Sequence, residues 1–322
     1  MTKKKVIFMG TPDFAVPCLE ALAASDVFEV VMVVTQPDRP KGRGLVMVAP
    51  PVKEAAKRLG IERILQPEKL RRSPELEHIL SSDVDYIITV AYGQLLPQNV
   101  LDHAKVAPIN VHASLLPAYR GSAPLHRVLI QGEKETGITT MKMVRAMDAG
   151  DILIQDKIGI DANLTVGELH DKLSALGANT LLRTLLAYEI GSIHPIPQDA
   201  SKVSYADAIL DADQEIDWNQ SAEELHNRIR GLNPWPVAYS SYLGQIWKIW
   251  KSQPLLQTPK YGVPGEILQA DSTGIVVQCG SGCLLLSEVQ PANKKKMGVE
   301  AYLRGNSLKL GTTFERKVRC TE

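Results

Sequence analysis

Residues 108–121 read Pro108-Ile109-Asn110-Val111-His112-Ala113-Ser114-Leu115-Leu116-Pro117-Ala118-Tyr119-Arg120-Gly121, a short apolar run that gives way to a turn. A strand over residues 108–112 has a side-chain period of two, which puts Asn110 and His112 on one face at its carboxyl end. Similar apolar runs stand upstream at residues 6–9, 30–34 and 86–90. Helical patterns lie between or after them, at residues 12–24 (with Leu19 and Leu22), 52–59 and 124–131. Strand and helix in alternation predict an open, parallel, doubly wound α/β sheet, whose ligands bind outside the carboxyl ends of its strands. Residues 138–143 and 152–160 read as later strands. Thr165-Val-Gly-Glu168 has the form of a capping box, opening a long helix with Leu169, Leu173 and Leu176 on one face that runs towards Tyr188.

The pattern changes at residues 191–208, where Pro195, Pro197 and polar residues show little periodicity, as a linker does. The expected organisation is therefore one domain over residues 1–190 and another over 209–322, which suits a chain of 322 residues. In the second domain, residues 221–230 read as a helix. Strand-like runs at 239–242, 246–250, 274–278 and 283–286, separated by Gly and Pro, predict a small β-barrel.

A composition of 44% hydrophobic and 22% charged residues excludes disorder, collagen and disulfide scaffolds. Lys plus Arg and Asp plus Glu each number 36, so a polyanion would have to be held by local patches rather than by a global field. Cys18, Cys279, Cys283 and Cys320 are too scattered for a disulfide framework, and Cys279 with Cys283 lacks the further ligands a closed zinc site needs, so no metal is expected. No apolar run approaches the roughly 20 residues that span a bilayer, and no signal-peptide core follows Met1-Thr-Lys-Lys-Lys5. No membrane partner is expected, and the expected location is cytoplasmic.

An amide beside an imidazole at a strand's carboxyl end suits acyl transfer. Asn110 can donate to an oxyanion, and His112 can take a proton from an attacking amine or deliver one to a leaving nitrogen. Asp148, in Met147-Asp-Ala-Gly-Asp151, is the best-placed carboxylate to hold the imidazole. On composition alone, a single His on a strand is more often a structural residue than a catalytic one.

The longer string carries more. Ser114-Leu-Leu-Pro117 with Tyr119-Arg-Gly121, together with Val90-Ala-Tyr-Gly-Gln-Leu-Leu-Pro97 and the run from Thr136-Gly137 to Asp148-Ala-Gly-Asp151, resembles the formyltransferase family that uses 10-formyltetrahydrofolate. The resemblance extends through Gly10-Thr-Pro-Asp-Phe-Ala15, Thr35-Gln-Pro-Asp-Arg-Pro40, Gly42-Arg-Gly44, Ile216-Asp-Trp218, Asn233-Pro-Trp-Pro236, Pro264-Gly265 and Gln290-Pro-Ala292. It narrows to the branch that formylates methionine carried on initiator tRNA. It implies a doubly wound Rossmann-like domain followed by a small OB-like β-barrel that grips the acceptor arm, in a protein expected to be a monomer. Catalysis by Asn110, His112 and Asp148 is implied, with Ser114, Leu115, Leu116 and Pro117 against the folate and a pterin pocket around residues 90–97 and 145–150. Phe14 resembles the family's wall for the methionine side chain, although plain core serves equally well.

The resemblance brings the loop of residues 35–51, with Arg39, Lys41 and Arg43, to the tRNA acceptor end. Where the family often carries lysines after Gly-Arg-Gly, this chain has Leu45, Val46 and Met47, and Ala208 stands where relatives commonly carry a basic residue. Residues 291–322 hold eight basic residues, including Lys294, Lys295 and Lys296, against three acids, which suits phosphate-backbone binding. The three lysines alone would read as a solvated run. Rival readings fall short on motifs. Transformylases and hydrolases with other acceptors do not account for the second-domain motifs, an inactive tRNA-binding scaffold has no reason to keep all three catalytic residues, and Gly10-Thr-Pro-Asp-Phe14 is not the glycine pattern that cradles a dinucleotide.

Overall fold

A computed structural model describes residues 2–42, 44–255 and 262–316. The chain divides into two compact units, the first made of Met1–Gly121, Glu135–Gly159 and His170–Ala206, and the second of Ser122–Lys134, Ile160–Leu169 and Asp207–Glu322.

The strands of the first unit are β1 (Lys4–Gly10), β2 (Phe28–Val34), β3 (Arg39–Lys41), β4 (Val46–Val48), β5 (Ile64–Leu65), β6 (Tyr86–Val90), β7 (Ala107–His112), β8 (Glu135–Lys142) and β9 (Ile152–Gly159). Seven of them form one sheet in the order β5-β2-β1-β6-β7-β8-β9, while β3 and β4 make a separate antiparallel hairpin. From β5 to β7 the neighbours are parallel. Burial on both faces explains why these strands read as unbroken apolar runs, and every residue of Tyr86–Val90 is buried. The chain runs outward from β1 through β2 to β5 and then returns to lay β6 on the other flank of β1. A reversal of this kind opens a crevice at the carboxyl ends of the two strands. Beyond those ends Thr11 Oγ1 donates to the Tyr92 carbonyl at 2.9 Å.

The sheet is parallel-rich rather than parallel throughout, because β8 runs antiparallel to β7, and β9 to β8. The chain re-enters the sheet at the end from which β7 left it, so His112 faces Thr139 and Ile109 faces Lys142. Residues 191–208, expected as a linker, carry two isolated bridges: Ile196 pairs antiparallel with Ile152, and Tyr205 lies parallel to Arg120. Single bridges need no alternating side chains, so this segment shows no period.

In the second unit Ser221 and Glu224 cap the helix Ala222–Gly231, whose Leu225 and Ile229 enter the core. Its strands are β10 (Ala238–Tyr242), β11 (Gln245–Leu255), β12 (Ile267–Asp271), β13 (Gly274–Gln278), β14 (Cys283–Gln290), β15 (Met297–Gly298) and β16 (Phe314–Glu315). They form an antiparallel sheet in the order β12-β13-β14-β11-β10-β16, with β15 on β14, and a Glu266–Thr313 bridge draws its two ends together. Trp218, Tyr242, Trp247 and Phe314 fill the interior, and the Trp218 indole N–H donates to Ser240 Oγ at 3.0 Å.

Within this unit Arg127 grips Asp213 through both guanidinium nitrogens, at 2.8 and 2.9 Å, and donates to the carbonyls of Asp207 and Ala208. The Arg127 hydrogen bonds hold the Asp213 carboxyl below its ordinary range. A depressed carboxylate stabilises the fold above the unfolded value of about 4, and the contribution is lost as pH falls through the folded value. Asp213→Asn is expected to cost about 1–2 kcal/mol at pH 7. Urea melts at pH 7 and pH 3 check this, since the gap between wild type and variant should shrink at the lower pH.

Candidate functional site

β7 delivers Asn110 and His112 to the carboxyl end of the sheet, two residues apart and therefore on one face. The loop after β8 brings Asp148 to meet them. Asn110 Nδ2 stands 3.5 Å from Asp148 Oδ1, and His112 Nδ1 stands 3.7 Å from Asp148 Oδ2. The His112 side chain is 7% exposed and that of Asp148 12%, so the pair is largely shielded while still reachable. His112 Nε2 lies 2.9 Å from the Tyr119 carbonyl. A carbonyl only accepts, so Nε2 carries the proton and Nδ1 is left to take one up beside the carboxylate. Asp148 Oδ2 also accepts the Gly121 backbone N–H at 2.9 Å, which fixes its orientation.

The backbone around this cluster is strained in the way functional loops often are. Tyr119 has φ 60° and Asp148 has φ 51°, both left-handed for side-chain-bearing residues. Gly121, at φ 118°, passes so close to Ala206 that a Cβ would stand 2.9 Å from its carbonyl oxygen. At Gly150 a Cβ would lie 1.7 Å from the Lys142 carbonyl oxygen. Gly150→Ala must therefore push the loop off β8, and a loss of about 3 kcal/mol is expected together with most of the activity. Thermal melts and transfer rates on the same preparation check it.

Ser114 to Pro117 are pinned to the sheet. Ser114 Oγ donates to the Ala118 carbonyl at 2.7 Å, so this hydroxyl is committed to the turn. Thr139 Oγ1 donates to the Ser114 carbonyl and accepts the Leu116 N–H, while Gln155 Nε2 donates to the Leu116 carbonyl. Ser114 and Leu116 are buried, and Leu115 and Pro117 partly so. Phe14 sits in the turn Asp13–Ala15 beyond β1, is 6% exposed, and meets the edge of His170 at 5.4 Å between ring centres.

Arg39 and Lys41 stand exposed on the β3–β4 hairpin, where Arg39 pairs with Glu68 at 2.6 Å. Arg43 lies outside the described residues. Leu45 to Val48 in the same hairpin are exposed. In the second unit Lys294, Lys295 and Lys296 are exposed, with Lys294 over the Tyr302 ring and Lys296 over the Trp250 ring while pairing with Glu288. Trp218 and Trp247 are core residues, whereas Trp235 is 42% exposed.

Residues 3–185 match the family model for formyl transferase, and residues 208–307 match the model for its C-terminal domain. A methionyl-tRNA formyltransferase of Bacillus velezensis is 49% identical over 308 residues, spanning 95% of this chain and 96% of the relative. The chain belongs to the methionyl-tRNA formyltransferase family. A second such formyltransferase, from Clostridium novyi, is 48% identical over 312 residues, 97% of this chain and 100% of its own. The formyltransferase fold also appears in an N-formyltransferase from Helicobacter canadensis, at 17% identity and a TM-score of 0.65 over 88% of this chain and 99% of the other.

Among the described residues of this formyltransferase no three His, Cys, Asp or Glu side chains gather as a metal site would need, and no helix is long and apolar enough to cross a membrane. Burial pushes the Cys18 and Cys279 thiols up to about 12, which leaves neither as a nucleophile. Sequence reading found the three side chains of the cluster and missed the groups that hold the site: the Tyr119 carbonyl, the Gly121 N–H and Gln198 around the cluster, and Thr139 behind Ser114 and Leu116. The first two are backbone groups within a noted motif. Gln198 stands between prolines and polar residues, where no pattern marks it.

Proposed function

We propose that the chain transfers the formyl group of 10-formyltetrahydrofolate to the α-amino group of methionine esterified to initiator tRNA, by direct acyl transfer. The observation that carries this reading is the convergence of Asn110, His112 and Asp148 at the carboxyl edge of the sheet. In this reading the amine nitrogen bonds to the formyl carbon, and the carbonyl electrons move onto oxygen. Asp148 Oδ1 accepts a hydrogen bond from one Asn110 Nδ2–H, and the other N–H is the donor for the developing oxyanion. His112 Nδ1 accepts the proton that the amine must lose, with Asp148 beside it to balance the charge. The oxyanion electrons then re-form the carbonyl as the bond to folate N10 breaks, and the proton taken up by His112 passes to that nitrogen. No covalent enzyme intermediate is needed.

The residues present fit a folate. Met143 packs against the cluster that holds Tyr92 and Leu96, which ties the backbone of residues 90–97 to the start of the loop leading to Asp148. Leu95, Val144 and Met147 on these segments are exposed apolar side chains, of the kind that can cover a flat heterocycle, and the buried Tyr92 hydroxyl has no hydrogen-bond partner among the described residues. On this reading Ser114 to Pro117 form the wall beside the folate and Phe14 the wall beside the methionine side chain.

Phosphate contacts are assigned to Arg39, Lys41 and Arg43 in the first unit and to Lys294, Lys295 and Lys296 in the second. Such contacts are largely indifferent to sequence and weaken with salt. Formyl transfer is assigned to the unit built on the doubly wound sheet and tRNA holding to the unit built on the curled sheet, in the cytoplasm where charged tRNA is used. The deciding experiment presents labelled 10-formyltetrahydrofolate with methionyl initiator tRNA, methionyl elongator tRNA, a small amine and water. Label transfer selective for the initiator is the expected result. Label passed only to water or to the small amine would overturn the acceptor assignment.

A further inference from the structure

We propose that Gln198 is a positioning residue for formyl transfer, holding the Asp148 loop in the strained conformation that sets the carboxylate against His112 and Asn110. This rests on the catalytic reading of Asp148 given above. Asp148 occupies φ 51°, a backbone region that costs a side-chain-bearing residue about 1–2 kcal/mol, so the loop needs groups that over-determine it. Gln198 supplies them. Its Nε2 donates to the Asp148 carbonyl at 2.8 Å and to the Gly150 carbonyl at 2.7 Å, clamping the chain two residues apart. Its Oε1 accepts from Arg120 Nε at 3.1 Å and Nη2 at 2.7 Å. The neighbouring Gly121 N–H is the donor to Asp148 Oδ2.

The arrangement allows one amide orientation. Turning the amide over would set its oxygen against two carbonyl oxygens and its NH2 against a guanidinium, so every contact would become repulsive. Gln198 is itself held from behind. Ile196 pairs with Ile152, the Ser204 carbonyl accepts the Arg120 N–H, and Ser204 Oγ accepts the Tyr119 N–H. Residues 196–206 thus brace both loops that frame the cluster, the one carrying Tyr119 and Gly121 and the one carrying Asp148. A side chain that fixes the backbone of a catalytic carboxylate and of the residue two beyond it, without reaching the reacting atoms, acts through geometry, where a displacement of about 1 Å costs around a hundredfold.

The test compares Gln198→Met, Gln198→Glu, Asp148→Asn and the double variant Gln198→Met with Asp148→Asn, in the full-length protein with methionyl initiator tRNA and 10-formyltetrahydrofolate. Gln198→Met keeps the length and removes all four hydrogen bonds. Gln198→Glu keeps the Arg120 partner and removes only the donors to the two carbonyls. Both single variants are expected to lower kcat by about 10- to 100-fold with KM for either substrate within about threefold of wild type. The double variant should be no slower than Asp148→Asn, because the clamp has no function once the carboxylate is gone. If Gln198→Met folds poorly, Gln198→Glu carries the same comparison in the Asp148→Asn background. Wild-type kcat in both Gln198 variants, or a loss in the double variant equal to the product of the single losses, would overturn the inference. A wild-type rate for Asp148→Asn would instead remove the catalytic reading on which it stands.

Discussion

His112→Ala is expected to lower kcat by about 10²- to 10⁴-fold, the range associated with a positioned general acid–base group. The amine that attacks a formyl carbon carries a proton it must shed once the new bond forms, and His112 Nδ1 is the imidazole nitrogen left to receive it, with the Asp148 carboxylate 3.7 Å away. The substitution removes a side chain that is mostly buried and bonded to the Tyr119 carbonyl, so a moderate loss of stability will accompany it. Catalytic and structural effects separate in the kinetics. A general-base role predicts a collapse of single-turnover rate at saturating substrate, with KM nearly unchanged. A variant that turned over at more than a third of the wild-type rate would show that the ring only fills space.

Asn110→Ala is the second large effect, with kcat reduced by about 10²- to 10³-fold, as for removal of one oxyanion donor elsewhere. Asn110 projects from the same face of β7 as His112 and is only half-buried, so its removal leaves the strand pairing with β6 and β8 in place. Asn110→Asp sharpens the test: it keeps the shape and replaces the donor by a carboxylate that repels the oxyanion, so it should be at least as slow as the alanine variant. Melting temperatures within a few degrees of wild type for both variants, together with unchanged folate binding by fluorescence, would confine the loss to the chemical step. Equal activity of wild type and Asn110→Asp would exclude an amide donor from the mechanism.

The side chains that carry these predictions were legible in the sequence. A five-residue stretch ending in Asn-x-His has one reading once a strand is granted, and strand period alone puts the two polar groups on one face at the exit. The buried parallel strands β1, β6 and β7 were legible for the same reason, since burial on both faces leaves a continuous apolar signature. The helix Val166–Glu189 announced itself through a local contact, for Glu168 accepts from Thr165 N–H and Oγ1, three residues back. The hairpin of β3 and β4 was not legible, because its exposed Leu45 to Val48 follow no burial pattern and its pairing lacks a sheet to anchor it.

The two units also interleave along the chain. Residues 122–134 and 160–169 are grouped with the second unit, where Arg127 holds Asp213 and the Arg230 guanidinium donates to the Asp161 and Leu164 carbonyls. Truncation after residue 208 would therefore cut through a unit rather than between two.

Local sequence marked most of the buried strands and long helices and the three polar side chains that meet at the sheet edge, because periodicity, capping boxes and turn residues act over a few positions and are written in adjacent letters. Only the tertiary fold set the antiparallel return at β8, the bracing of residues 196–206 against the loops of the site, and the clamp of Gln198 on Asp148. Each of those depends on hydrogen bonds between backbone groups or single polar side chains far apart in the chain. Every residue carries such backbone groups, so no letter marks which pairs will meet until the sheet has set their distances.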